Sequence, residues 1–371
     1  MDEKWIDEAL DRTLDKVKKN IDAIGLHYPH VSICGTYNDQ GPEFWTSGFW
    51  PGILWLYYSA TQDSKARELA IALEENLDKV LDGFVTIHHD VGFMWLPSAV
   101  AHYAFDSDDS ARVRGLKAAS HLSGRFNLAG RYIRAWNDKV KANSQGWAII
   151  DCMMNLSLLY WASKETKDPR FKHIAVAHSD TVLEFFKRGD GSFPHIVSFN
   201  PETGEKVCNI GGQGYGPDSA WARGQAWAMY GFAIGYRETG DIRYLDAAKD
   251  ASHFFLSHLP EDKVPVWDFR APEGKRDAKD SSAAACASSA LFELASLIPN
   301  GPDKEFYMSQ GISILKSLYE NYSDWNEGQQ AIVLHGTVHY PAGKNIDVPI
   351  IYGDFFFLEA LLKVKGKKGL F

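Results

Sequence analysis

The strongest constraint on this chain is an alternation of two kinds of helical stretch. The first kind is amphipathic. In 5–24, Trp5, Ile6, Ala9, Leu10, Leu14, Val17, Ile21 and Ile24 recur at three- and four-residue steps with Asp and Lys between them, the period of a helix with one buried face. The second kind, first met at 46–58, is apolar almost all round and must be buried on every side. The two kinds then follow one another along the chain: amphipathic at 63–81, 109–126, 169–188, 242–259 and 303–322, apolar at 91–103, 145–163, 220–236, 281–297 and 352–364. Six buried helices, each paired with an outer one, predict an all-α fold, a six-hairpin (α/α) toroid with six inner and six outer helices. No composition break or Pro/Ser-rich linker interrupts the pattern, so one domain is expected over 1–371. Several loops ahead of the inner helices are long and glycine-rich (25–47, 189–217, 260–280 and 323–351). In a toroid they gather at one end of the ring, where a pocket would form.

Composition narrows what such a pocket can hold. Aromatic residues make up 13% of the chain, more flat apolar surface than a core needs. The net charge of −9 argues against nucleic acid as a partner, because phosphate neutralisation requires a basic face. A small acidic ligand then needs local cations to offset the overall field. The four cysteines (Cys34, Cys152, Cys208 and Cys286) form no C-x-x-C pair, so neither a disulfide framework nor a zinc knuckle is expected. No uncharged run approaches the roughly 18 residues of a membrane span, and the first residues lack a basic-then-apolar signal pattern. The expectation is a soluble cytoplasmic protein, or a periplasmic one whose signal peptide has been removed. It is expected to be a monomer or a weak homodimer with no membrane partner.

Polar residues near the starts of otherwise apolar helices carry the chemical signal, since their burial must be offset. In Ile87-His88-His89-Asp90, Asp90 stands at the entry of the second inner helix, either as an N-cap or as a working carboxylate. The triplet hints at metal. Neighbours in sequence rarely converge on one ion, however, and no metal or other cofactor is expected. Asp151 falls two turns into the predicted 145–163 helix, among Trp147, Ile150, Cys152 and Met153, with no cation within a turn. Such surroundings disfavour an ionised carboxylate and ready an acid to donate a proton near neutral pH; a buried Asp bonded to a loop is the plainer alternative. Asn155, one turn on, is placed to orient it.

His195 is delivered by the turn Asp190-Gly191-Ser192-Phe193-Pro194. Gln213 lies in the glycine-rich loop 211–217, which leads into Asp218-Ser219-Ala220-Trp221-Ala222-Arg223-Gly224-Gln225-Ala226-Trp227. With Ser219 as N-cap, Trp221 and Arg223 sit at the helix mouth, where an indole can cover a sugar and a guanidinium can grip a carboxylate. A core helix with two packed tryptophans reads equally well. Trp45 and Trp136 fall on loops and suggest a ligand wall. There is no G-x-S-x-G elbow, and Gly343-Lys344-Asn345 lacks the frame of a phosphate loop.

Taken together, His89-Asp90, Trp136, Ile150-Asp151, His195, Gln213, Trp221 to Trp227 and Tyr352-Gly353-Asp354-Phe355-Phe356 make the chain resemble the unsaturated glucuronyl hydrolases. These are family eighty-eight of the glycoside hydrolases, and the likeness runs over nearly the whole length. The resemblance implies the same toroid and a specific activity. Polysaccharide lyases leave oligosaccharides ending in a uronic acid with a C4–C5 double bond. These enzymes release that sugar by hydrating the vinyl ether rather than attacking the anomeric carbon. The resemblance further implies Asp151 as acid/base, protonating C4 and helping water to C5, and Asp90 as the second carboxylate, holding ring hydroxyls. It places His89, His195, Gln213 and Arg223 around the unsaturated sugar, with Trp45, Trp136, Trp221 and Trp227 as walls. The implied substrate is a small acidic glycosaminoglycan oligosaccharide.

One departure matters. Members that prefer sulfated disaccharides carry Ser-x-x-Ser-x-Lys before the last inner helix, where this chain has His339-Tyr340-Pro341-Ala342-Gly343-Lys344. Lys344 is kept and two hydroxyl donors are missing, which His339 replaces in part only if it is protonated. No strong preference for that sulfation pattern is expected. Two alternatives stay open: the W-A-R-G-Q-A-W run alone also fits relatives acting on unsaturated rhamnogalacturonan, and a non-catalytic sugar-binding toroid would keep the tryptophan walls.

Overall fold

The computed structural model describes residues 4–138 and 141–371; residues 1–3, in the segment where no signal pattern is expected, lie outside it. The chain opens with α1 (Lys4–Ile24) and a hairpin of β1 (Pro29–Ile33) and β2 (Thr36–Asp39), then enters α2 (Phe49–Thr61). α3 (Ser64–Asn76) starts on Asp63, whose carboxylate accepts the Lys65 and Ala66 N–H groups; α4 (Asp78–Gly83) follows. The second inner segment is built from α5 (Val91–Trp95), a π turn at Leu96–Val100 and α6 (Ala101–Asp106). After α7 (Asp109–Ser123) come a short hairpin of β3 (Phe126–Asn127) and β4 (Tyr132–Ile133), then β5 (Trp147–Ile149), α8 (Cys152–Thr166) and α9 (Arg170–Phe185). β6 (Ile196–Phe199) and β7 (Lys206–Ile210) complete a three-stranded antiparallel sheet with β5. The remaining helices are α10 (Ala222–Thr239), α11 (Ile242–Ser257), α12 (Ser281–Leu297), α13 (Pro302–Asn321) and α14 (Ile351–Val364).

The expected toroid is present. α2, α5–α6, α8, α10, α12 and α14 touch in sequence order, and α14 closes back on α2. α3, α7, α9, α11 and α13 each pack outside their partners, while α1 covers the seam between α14 and α2. Aromatic side chains from four inner helices meet in the middle: Phe49 contacts Phe93, Phe355 and Phe356, and Trp227 contacts Phe93 and Phe356. Groups from opposite sides of a ring can meet only at its axis, so the axis is filled. Phe371 adds to this plug, its ring 5.7–6.5 Å from those of Phe93, Tyr230, Phe355 and Phe356. Glu359 anchors that end by accepting the Leu370 N–H at 2.9 Å.

Three local expectations are corrected. The 91–103 stretch is not one regular helix. Pro97 has no N–H to donate, and the ladder slips into the π turn around it. The 63–81 stretch divides at Leu77 into α3 and α4. The 145–163 stretch becomes helical only at Cys152, because 147–149 pairs as a strand, with Ala148 opposite Val197. A short apolar run fits a buried strand as well as a buried helix, and periodicity cannot choose between them.

Candidate active site

Loops ahead of α2, α5, α8, α10 and α14 enclose a cleft of about 890 Å³ at one end of the ring. Phe44, Trp45, Trp136 and Trp147 give it aromatic walls, and Ile149, Ile196 and Ile210 of the small sheet give an apolar one. His88, Asp90, Asp151, His195 and Gln213 supply polar groups, with Lys141 as a cation. A larger cleft of about 1060 Å³ lies near Phe84, Leu116 and Arg125, but Glu202 is the single carboxylate lining it. The smaller cleft brings Asp90 and Asp151 together, with Glu43 also on its lining.

Asp90 immediately precedes α5, yet its side chain makes no cap bond, so the purely structural reading fails. It is 7% exposed, and burial, followed by the neighbouring Asp151 charge, raises its carboxyl well above the usual range. Asn155 holds it: Nδ2 donates to Asp90 Oδ1 at 3.4 Å and to the Asp151 carbonyl at 3.2 Å, while Oδ1 accepts the Phe93 N–H at 2.8 Å. Asn155 therefore positions Asp90's carboxylate, rather than the Asp151 side chain as expected. This bridge needs α5 close against α8. A Cβ on Gly92 would lie 2.5 Å from the Asn155 Cα.

Asp151 is not two turns into a helix but directly ahead of α8, and it too makes no cap bond. Its Oδ2 is buried without a hydrogen-bond partner and lies 3.4 Å from His195 Nε2. His195 Nδ1 accepts the Gln213 backbone N–H at 2.9 Å. In the neutral ring that bond assigns the proton to Nε2, the nitrogen facing Asp151. Gly212 makes the approach possible, since its φ is +58° and a Cβ there would stand 2.2 Å from His195 Nδ1. Gln213 is fixed in turn by Nε2 donating to the Val338 carbonyl at 2.6 Å.

Trp45 and Trp136 line the cleft as expected. Trp221 and Trp227, 2% and 1% exposed, do not: Trp221 backs the His195 ring at 4.6 Å, and Trp227 belongs to the axial plug. Arg223 is 1% exposed and both its terminal nitrogens are already engaged. It pairs with Asp280, donates to the Thr337 and Val338 carbonyls at 2.8 and 2.9 Å, and stacks on Trp221 and Tyr352. It clamps the 337–338 segment instead of facing the cleft. Ser219 does not cap α10, which begins at Ala222; Asp268 gathers the N–H groups of Tyr215, Ala220 and Arg270 there instead.

His89 is fully buried behind His88, off the cleft surface. His339 lines the cleft, but burial, then the charges of His195, Arg223, Lys344 and Lys141, push its imidazole down to about 4. It is therefore uncharged near neutral pH, so the condition for its replacing the missing hydroxyl donors is not met. Lys344 pairs with His339 through backbone bonds across a turn and is not among the residues lining the cleft. Sequence reading missed Trp147 and Ile149, whose alternate positions on β5 face the cleft together. It also missed Arg125, a strut whose guanidinium donates to the Arg134 and Ala135 carbonyls and to Asn137, bracketing Trp136.

Against known proteins, residues 16–292 match Glycosyl Hydrolase Family 88. The chain is 36% identical over 363 residues to the unsaturated chondroitin disaccharide hydrolase of Streptococcus agalactiae serotype III (strain NEM316), covering 96% of this chain and 91% of that one. The crystal structure of unsaturated glucuronyl hydrolase from Bacillus sp. GL1 superposes with a TM-score of 0.93 at 35% identity over 97% of each chain. A mutant of the Streptococcus agalactiae unsaturated glucuronyl hydrolase, complexed with dGlcA-GalNAc6S, superposes with a TM-score of 0.86 at 33% identity, over 99% of this chain and 93% of that one. A toroid of this closure, a cleft holding two carboxylates, and matches over nearly the full length converge: the chain belongs to glycoside hydrolase family 88.

Proposed function

We propose that this chain releases the terminal C4–C5-unsaturated glucuronic acid from glycosaminoglycan oligosaccharides by hydrating the double bond. The observation that carries the reading is Asp151: a buried carboxyl oxygen without a hydrogen-bond partner, 3.4 Å from His195 Nε2, in a cleft walled by tryptophan. Asp151, protonated, gives its proton to C4, and positive charge develops at C5 and the ring oxygen. The resulting carboxylate takes a proton from water as its oxygen bonds to C5, which regenerates the acid. The hemiketal formed opens to a C5 ketone. C1 then collapses to an aldehyde as the aglycone leaves, so water is the sole co-reactant. Asp90, held by Asn155 and lifted towards its protonated form, is suited to bond the ring hydroxyls. His195 orients the sugar beside Asp151, and Trp45 and Trp136 cover its faces. The relatives named for unsaturated glucuronyl and chondroitin disaccharides support this substrate class. An uncharged His339, and a Lys344 outside the cleft lining, support a weak preference for the sulfate position that the serine–lysine motif reads.

The test is loss of the absorbance of the conjugated double bond, with unsaturated chondroitin, hyaluronan and rhamnogalacturonan disaccharides as substrates. The wild type should consume the glucuronyl disaccharides, and Asp151→Asn should be slower by about 10²–10⁴-fold, the usual contribution of a positioned acid/base. Undiminished turnover by Asp151→Asn would overturn the mechanism. Turnover of the rhamnogalacturonan disaccharide alone would overturn the substrate class, and binding without turnover would make the cleft a sugar-binding site only.

A further inference from the structure

The turn that delivers Asp90 carries two imidazoles whose ring nitrogens the hydration reading does not use. His89 and Asp90 form a turn between the preceding loop and α5. The bend folds adjacent side chains to one side, and the His88 and His89 rings lie 5.6 Å apart at 27°. His88 Nδ1 is 3.3 Å from Asp90 Oδ2, His89 Nε2 is 3.4 Å from Asp90 Oδ1, and one ligand atom from each residue falls within 4.8 Å of the others. Ligands about 2.0–2.1 Å from a tetrahedral ion stand about 3.3–3.4 Å apart, and each histidine already stands at that distance from one of the two Asp90 oxygens. We infer that His88 Nδ1, His89 Nε2 and an Asp90 oxygen form a site for one divalent transition-metal ion of the zinc type, which competes with the sugar for Asp90.

Two observations beyond the cluster point to a ligand. His89 is fully buried with neither ring nitrogen hydrogen-bonded, and His88 Nδ1 is buried and equally unpaired. Buried polar atoms without partners are rare and call for a reason. Finally, His88 and Asp90 line the cleft, which gives an ion a route in and leaves its fourth position open to water. Two imidazoles and a carboxylate suit zinc, cobalt or nickel better than magnesium or calcium. The charge of Arg125, felt at His88, opposes a cation. That opposition favours a reversible inhibitory site over a permanent structural one.

The test uses tag-free full-length protein. Equilibrium dialysis against Zn²⁺ and the visible spectrum with Co²⁺ should show one ion per chain in tetrahedral coordination. His88→Gln and Asp90→Asn should each weaken binding by at least about ten-fold, the low end of what even outer-shell losses cost. His89→Gln should do the same where its melting curve shows a folded protein. No bound ion in the wild type, or unchanged affinity in either His88→Gln or Asp90→Asn, would overturn the site. Neither readout involves sugar, so they hold or fail independently of the hydrolase reading. The competition rests on that reading: Zn²⁺ should raise the apparent KM for the unsaturated disaccharide, and an unmoved KM would overturn the competition alone.

Discussion

Arg223→Met is the perturbation that most sharply separates a structural clamp from a substrate clamp. Arg223 and Asp280 are 1% and 0% exposed, and Asp280's other side-chain partner is the Ser282 hydroxyl at 2.6 Å. Removing the guanidinium leaves a buried carboxylate uncompensated, and it strips the Thr337 carbonyl of a charged donor. Breaking one side of a buried pair costs about 3–5 kcal/mol. Unfolding entropy near 2.1 cal/mol/K per residue gives about 0.8 kcal/mol/K for 371 residues, so the melting temperature should fall by about 4–6 °C. Arg223→Met combined with Asp280→Leu removes both charges and should recover most of that loss, since exchanging a buried pair for apolar groups is often near neutral. Scanning calorimetry at neutral pH reads both. The freed 337–338 segment carries His339 into the cleft and takes the Gln213 amide, so KM for the unsaturated disaccharide should rise while the pH profile of kcat keeps its shape. A melting temperature lowered by less than about 1 °C in the single variant, or a double variant no better than the single, would refute the clamp.

Two further variants probe the positions around the carboxylates and the loop anchors. Gly212→Ala adds a Cβ in the left-handed region and drives it against His195 Nδ1; about 1–2 kcal/mol of backbone strain should lower the melting temperature only slightly. Its kcat should fall at least about ten-fold, and an unchanged kcat would remove His195 from the mechanism. Asp354, which accepts the Ile332 and Val333 N–H groups and the Tyr37 hydroxyl, is lifted by burial from 3.8 to about 6. A raised folded value means that its stabilising contribution is full below about pH 4 and lost as pH climbs to about 6, roughly 3 kcal/mol over that gap. Asp354→Asn should gain on the wild type by that amount across pH 4–6, with a flat difference above it. Parallel stability curves through that window would contradict the burial argument.

The ring architecture was legible because burial on every side leaves a mark on each inner helix that no other arrangement of these elements needs. The expected stretches starting at 63, 109 and 242 begin within a residue of α3, α7 and α11, which Asp63, Asp108 and Asp241 cap. Asp90, Asp151, His195 and Gln213 stood out as polar groups beside apolar runs, and the structure brings them together around one cleft. Trp221, Trp227 and Arg223 were misplaced for a physical reason. An arginine and two indoles at a helix mouth look the same whether the carboxylate they meet belongs to a ligand or to Asp280, 57 residues further on. The charge state of His339 was equally invisible, because burial depresses it first and the charges of His195, Arg223 and Lys141, which follow, stand far from it in sequence. Trp147 was hidden by the choice of helix over strand.

The aromatic plug on the ring axis bears on traffic through the enzyme. Beneath Trp45 lie Phe49, Phe93 and Tyr352, their ring centres 5.2–5.9 Å from its own, with Phe355, Phe356 and Phe371 further in. The cleft is thus floored on the ring axis. A polysaccharide cannot thread along that axis, which favours a chain end at Asp151 over an interior unit. After cleavage in the proposed reaction, the innermost fragment waits behind the outer one, and the shortened oligosaccharide must back out before the opened uronate can follow. Each turnover then ends with complete release, and a long chain is trimmed by repeated visits rather than by sliding.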